Sequence, residues 1–338
     1  MQNGTNSLEN EHRQYKYILN RYKLLIWKHM NIYTVLSALF FIFYFTRYRH
    51  CIRRIPIYFE EVLCYYFFQV RDFNLPVYRS KYNISVSVII PVFNKGRYLY
   101  RSIPSVINQT LKKIETVIVD DCSSDNTTKI AGYFMKKHKN IRYYRIPNNT
   151  GTYNCRIVAV KKSHGEYILS LDPDDTLYYI TAEKDYDTAI STGSDIVEHQ
   201  MVRSYPSGKI GKFSWKSPKF SVADSHIMRT EFLLGRLNWN LPRKIVRREV
   251  FLQAIDLVGE KYQHMKLTYG EDKLMMGGIY LVARKMVVLY YVGYYYYVDL
   301  PDSSKNLYNR QSRNYQVYTV INGRLKEMYN VTVMKNDP

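Results

Sequence analysis

The sequence predicts an α/β fold: a Rossmann-like, mostly parallel sheet with helices on both faces, preceded by an N-terminal membrane helix. Three observations predict it. Short β-branched runs alternate with stretches of helical spacing between Val86 and Asp175, and such alternation builds βαβ units and a parallel sheet. Acidic residues gather at the ends of those runs. An uncharged run, His29 to Thr46, stands alone before the pattern begins.

The composition fits that class and excludes others. With 338 residues, 46% hydrophobic and 15% aromatic, the chain is too apolar to stay disordered and long enough to bury a sizeable core. Its 49 Lys+Arg against 29 Asp+Glu give a formal charge of +20. That balance favours polyanions, whether nucleic acid, anionic lipid or phosphorylated ligands, with a merely solvated basic surface as the plain alternative. The cysteines, Cys51, Cys64, Cys122 and Cys155, form no CxxC pair and have no His at zinc-ligand spacing. A disulfide scaffold or structural zinc site is therefore not expected.

Residues 1–28 are polar and basic. The uncharged run 29–46 that follows has about 18 residues, roughly 27 Å of helix, which approaches the hydrocarbon thickness of a bilayer. Tyr33 and Tyr44 lie near its ends, where interfacial aromatics belong. A buried core helix is the alternative. Basic residues flank the run on both sides, so its direction stays open. Residues 47–83 read as a juxtamembrane linker, in which VLCYYFFQV (62–70) is too short to span. The expectation is a single-pass membrane protein; Golgi/ER and plasma membrane are not told apart.

VSVIIPVFN (86–94) reads as a buried strand ended by a turn. Residues 97–109 have helical spacing. ETVIVDD (115–121) is a second strand, and a helix begins near Ser124 and runs to about His138. NIRYYRI (140–146) is a third strand, NNTG (148–151) a turn, and a helix continues through Arg156 to about Lys162. GEYILSLDPDD (165–175) is a fourth strand ending in acids. In such sheets the ligand sits beyond the carboxyl ends of the strands. Those ends carry Pro91–Asn94, Asp120–Asp121 and Asp172–Asp175.

Clustered aspartates persist where a cation or a set of donors offsets their repulsion. Asp172 and Asp174 stand two apart on an extended chain, on one side of it. Hard oxygen ligands with open positions suit a divalent cation, Mn²⁺ or Mg²⁺; a surface acidic turn has the same local pattern. For Asp120 and Asp121 the structural alternative is capping of the following helix.

Five pieces, VSVIIPVFN, SIPSVINQT (102–110), VIVDDCSSDNT (117–127), NNTGTYNCR (148–156) and GEYILSLDPDD, stand in this order over about 90 residues. Together they resemble the nucleotide-sugar half of a family 2 glycosyltransferase with the GT-A fold. The resemblance implies an inverting transfer from a nucleoside-diphosphate sugar to an acceptor hydroxyl. It implies that Pro91, Val92, Phe93, Asn94, Asp120 and Asp121 hold base and ribose, and that Arg156 and Asp172 line the nucleotide site. Asp174 is then the main metal ligand, with Asp172 and Asp175 flanking it. Two departures stand out: Cys122 where glycine is usual, and Ile157 where asparagine is common.

Beyond residue 178 the pattern loosens. SYPSGKIGKFSWKSPKF (204–220) reads as a polar hairpin or flap. NWNLPRKIVRREVF (238–251) resembles the family's segment in which a Trp precedes a strand and RRE opens a helix. In YGEDKLMMGGIY (269–280) the resemblance marks Glu271 and Asp272 as the catalytic pair, Asp272 being the base; the alternative is two acids favouring a helix dipole. The Tyr-rich run 287–298 reads as sheet and core. No QxxRW-like segment follows Asp272, which disfavours a processive synthase.

The expected organisation is thus a linker to residue 83 and a catalytic domain over 84–300, with its nucleotide-sugar half at 84–177 and its acceptor half at 178–300. A polar tail at 301–338 has no assigned role. Expected partners are a nucleotide-diphospho-sugar donor, a glycan, lipid or protein acceptor, and a membrane, with no nucleic acid. Two other functions compete. LSLDPDDTL (169–177) also fits a haloacid-dehalogenase-like phosphotransferase, with Asp172 as nucleophile and Asp174 as acid/base. A non-catalytic, basic, membrane-associated binding module explains the charge alone.

Overall fold

The computed structural model describes residues 82–211, 220–263, 265–267, 270–298 and 312–336. The expected span at 29–46 lies outside these residues, as does most of the linker. No described helix is long and apolar enough to cross a membrane.

The nucleotide half forms as its sequence periods dictate. Strand β1 (Val86–Val92), helix α1 (Gly96–Ile107), β2 (Ile114–Asp120), α2 (Thr127–Lys137), β3 (Ile141–Arg145), α3 (Thr152–Lys162) and β4 (Tyr167–Ser170) alternate in that order. β1, β2 and β4 are buried along their whole lengths, as strands covered on both faces must be. They pair in parallel in the order β3-β2-β1-β4. Register sets Val92 beside Asp120, so the carboxyl ends of β1 and β2 adjoin.

Alternate residues of β1 feed two cores. Val86, Val88, Ile90 and Val92 pack with Leu99, Ile103 and Val106 of α1 and with Ile130 and Phe134 of α2. Ile89 points to the other face, into a cluster with Tyr153, Ile157 and Val160 of α3. Full burial of each such aliphatic side chain contributes about 1.5–3 kcal/mol, which offsets the cost of the carboxylates held at the strand ends.

After β4 come β5 (Thr176–Leu177), α4 (Thr181–Thr192), β6 (Ile196–Ser204), β7 (Ile210–Gly211), β8 (Val222–Asp224) and α5 (Ser225–Leu233). A 3-10 turn (Leu241–Arg243), β9 (Lys244–Arg247), α6 (Arg248–Val258), α7 (Glu260–Gln263), α8 (Glu271–Val282), β10 (Lys285–Tyr297) and α9 (Ser312–Asn336) complete the order. Here the sheet is mixed. β9 runs antiparallel to both β4 and β6, β10 is parallel to β6, and β5 closes the far edge against β10. Register shifts between Val288 and Tyr294 of β10 mark the irregular stretch beyond which Tyr294 and Tyr297 meet Asp175.

The 301–338 tail is more than polar chain. Its helix α9 buries Ile321, Leu325 and Met328 in the α6/α8 core. Gly277 of α8 permits that approach, because a Cβ there would lie 2.2 Å from Leu325 Cδ2. Arg324 between them donates to the Val258 and Leu257 carbonyls of α6 at 2.9 and 2.7 Å, while Asn322, Lys326 and Glu327 are exposed, and the sparse apolar spacing hid the docking stripe. At the other end, Tyr82 donates to Glu249 of α6 at 2.6 Å.

Candidate active site

The ends of β1 and β2 are tied together by their own polar groups. Asn94 takes a positive φ of 49° and Cys122 one of 64°, a region unfavourable for side chains other than Asn, Asp or Gly. The turn that usually carries glycine is therefore made with a thiol in place. Asn94 N donates to Ser123 Oγ at 2.9 Å, and Asn94 Oδ1 accepts from Ser124 N at 2.8 Å. Pro91 and Val92 are buried in β1, whereas Phe93 is 45% exposed at its end.

Asp120 and Asp121 are both buried and both satisfied. Asp120 accepts from Ser123 N, the Tyr143 hydroxyl and Arg145, at 2.8, 2.6 and 2.8 Å. Asp121 accepts from Thr150 N at 2.7 Å and Gly151 N at 2.8 Å. Gly151, with φ of 91°, turns its amide back to Asp121 at the start of α3. Neither aspartate caps α2. The N-cap residue is Asn126, and Asp125 just before it accepts from Thr127 N at 3.0 Å and from Gly96 N at 2.9 Å.

Arg156 is the hub of the cleft. α3 carries it inward, and it is only 2% exposed. It donates to Asp172 Oδ1 at 3.0 Å, just past β4, and reaches Glu271 Oε1 at 3.4 Å and Asp272 Oδ1 at the start of α8. Asp272 Oδ2 also accepts from Leu241 N at 3.4 Å. Residues from the fourth strand and from the eighth helix, far apart in sequence, thus meet on one guanidinium. Burial opposes the charge on Arg156, yet Asp272, Asp172 and Glu271 hold it firmly protonated.

Three carboxylates on one cation leave a negative excess, and Asp172 and Glu271 register it in their proton affinities. Burial, with Asp272 and Asp174 adding and Arg156 opposing, pushes Asp172 up to about 6. Burial and Asp272 push Glu271 up to about 7. Asp175 is raised well above the carboxylate range by burial and by Asp174 and Asp172. Its oxygens accept from the Tyr294 hydroxyl and Tyr297 N, each at 2.8 Å. Asp174 pairs with Lys95 Nζ at 2.8 Å, and its carbonyl accepts from Arg101.

No group of three or more His, Cys, Asp or Glu side chains gathers as a metal cage among the described residues. Asp174 adds to the charge cost of Asp172, and the two carboxylates suit a different kind of cation. A hard ion that keeps waters and takes phosphate oxygens needs only one or two carboxylates.

The sequence reading missed Lys95, Arg101, Tyr294 and Tyr297. Lys95 directly follows Asn94 in the turn, which was a usable signal. Arg101 and the two tyrosines reach the site through tertiary packing and carry no local mark. Arg101 stacks 3.6 Å from the Tyr297 ring centroid. Lys244 is a further buried cation, lowered to about 8 by burial against the pull of Glu198. Its Nζ donates to Asn240 O at 2.7 Å, bracing the turn that offers Leu241 N to Asp272.

Residues 87–251 match the family described as glycosyl transferase family 2. The chain is 26% identical over 229 residues to glycosyltransferase GlyG of Streptococcus pneumoniae serotype 4, covering 60% of this chain and 67% of that one. It is 28% identical over 261 residues to poly(ribitol-phosphate) beta-N-acetylglucosaminyltransferase TarP of Staphylococcus aureus, covering 74% of each. Among solved structures, S. aureus TarS 1-349 in complex with UDP superposes with a TM-score of 0.52 at 26% identity. That match covers 64% of this chain and 61% of TarS 1-349, so the chain spans under two thirds of that relative. Fold, strand-end carboxylates and these likenesses together support a family 2 glycosyltransferase of the GT-A fold.

Proposed function

We propose that the protein transfers one sugar, with inversion, from a nucleoside-diphosphate donor to the hydroxyl of a glycan, lipid or protein acceptor, acting from a membrane anchor at 29–46. The UDP held by TarS supports a uridine nucleotide as the donor's base. Arg156 is the observation that carries the reading, because it joins Asp172 on the donor side to Glu271 and Asp272 on the acceptor side.

Phe93 stacks on the base while Asn94, Asp120 and Asp121 shape the turn that receives base and ribose. Asp272, oriented by Arg156 and Leu241 N, accepts the proton of the acceptor hydroxyl. The acceptor oxygen then bonds to the anomeric carbon from the face opposite the diphosphate. The bond from that carbon to the diphosphate oxygen breaks, and the nucleoside diphosphate leaves with the electron pair. Asp174 and Asp172 would hold a divalent cation, which offsets charge on the leaving group when bound. Arg156 keeps Asp172 and Asp272 in register across the cleft. The phosphotransferase alternative needs Asp172 as an open nucleophile on a first strand. Here Asp172 is engaged by Arg156 and follows three earlier parallel strands.

Calorimetric titration of the full chain with UDP, with Mn²⁺ or with chelator, tests this. Asp174→Asn should weaken Mn²⁺-dependent UDP binding by at least about tenfold, or ~1.4 kcal/mol. UDP affinity unchanged by that substitution would overturn the role of Asp174.

A further inference from the structure

Lys95 occupies the place on Asp174 that a cation would need. It lies between the Pro91–Asn94 turn and α1, with its Nζ 2.8 Å from Asp174 Oδ2. Both side chains are largely shielded, at 16% and 22% exposure. Of the neighbouring carboxylate oxygens, Asp172 Oδ1 is taken by Arg156 and both oxygens of Asp175 by Tyr294 and Tyr297, which leaves Asp172 Oδ2 and Asp174 for a cation. An incoming divalent cation must therefore share Asp174 with an ammonium, and like charges at such range repel strongly in a shielded site.

The two basic residues on Asp174 are held differently. Arg101 is fixed, donating to the Asp174 carbonyl and stacked 3.6 Å from the Tyr297 ring centroid. Lys95 is a compact charge on a flexible stem. It sits 5.1 Å from the Tyr98 ring centroid, against which Arg97 and Arg101 also pack. Crowding of three cations around one ring favours movement of the flexible one towards an arriving anion.

We propose that Lys95 couples donor binding to metal binding. Without donor it neutralises Asp174; when the diphosphate arrives it turns to the phosphate oxygens and leaves Asp174 to the divalent cation. This inference rests on the proposed reading of Asp174 as a metal ligand beside the diphosphate. Its consequence is that metal alone binds weakly and that UDP tightens it.

Calorimetry on the full chain measures Mn²⁺ alone, UDP alone, and each in the presence of the other, for wild type and Lys95→Met. Removing the competing charge should tighten Mn²⁺ alone by about tenfold and weaken UDP in the presence of Mn²⁺ by about tenfold. The factor by which UDP tightens Mn²⁺ should shrink accordingly. A residue that merely braced the turn would weaken both ligands together, so movement in the same direction, or unchanged Mn²⁺ affinity, overturns the coupling. Lys95→Gln reads the same quantities should the methionine variant not fold. Wild-type UDP binding that ignores Mn²⁺ would overturn the proposed function and this coupling with it. Metal-dependent UDP binding in wild type, with unchanged Mn²⁺ affinity in Lys95→Met, overturns the coupling alone.

Discussion

The turn region at the carboxyl ends of β1 and β2 and the cleft around Arg156 treat their carboxylates in opposite ways. At the turn, Asp120 is met by Ser123 N, Tyr143 and Arg145, and Asp121 by Thr150 and Gly151. At the cleft, Asp172, Glu271 and Asp272 divide one guanidinium, and burial lifts Asp172 to about 6 and Glu271 to about 7. A carboxylate with its full set of donors fixes backbone. One that is short of partners is poised to exchange a proton or take up a cation. On the proposed reading, the contrast separates the frame of the nucleotide site from the groups that do chemistry.

The strongest way to break that contrast is to remove the shared cation. Arg156→Met leaves Asp172, Glu271 and Asp272 facing one another with no compensating charge. Loss of one partner from a buried pair costs about 3–5 kcal/mol; with these carboxyls partly solvated, the expected loss is about 3 kcal/mol by urea denaturation at pH 7. A loss below about 1 kcal/mol would mean that the cleft does not depend on its hub.

A smaller effect sharpens the comparison through pH. Glu271 ordinarily ionises near 4.5 and is held up to about 7 in the fold. Below about 4.5 both folded and unfolded states hold the proton. Between about 4.5 and 7 the folded state holds it and the unfolded state does not, so stability falls as pH rises through that window. Glu271→Gln should flatten this slope when denaturation midpoints are compared at pH 5 and pH 7.5. An identical slope in the variant would show that Glu271 is not the group titrating.

The frame was the more legible of the two regions. Strands read at 86–94, 115–121 and 140–146 are observed at Val86–Val92, Ile114–Asp120 and Ile141–Arg145, because β-branched runs and turn residues are local signals. The strand and helix read within 238–251 are observed as β9 and α6. Glu271 and Asp272 were marked by resemblance, not by their own chemistry, since two acids opening a helix are ordinary. That Arg156 binds them was illegible: the contact depends on α3 and α8 packing in one core. The place of Lys95 beside Asn94 was legible, but the same limit hid its contact with Asp174, that of Tyr294 with Asp175 and the docking of α9. In each case the partner lies tens of residues away, and no period in the sequence encodes the meeting.

On the proposed reading Asp272, held with the donor-side Asp172 on Arg156, takes the acceptor's proton. Asp272→Asn, assayed for sugar transfer and titrated with UDP in parallel, tests it most directly. The claim predicts transfer slowed by about 100-fold, on the scale of a lost general base, with UDP affinity unchanged. Normal turnover in Asp272→Asn would contradict it.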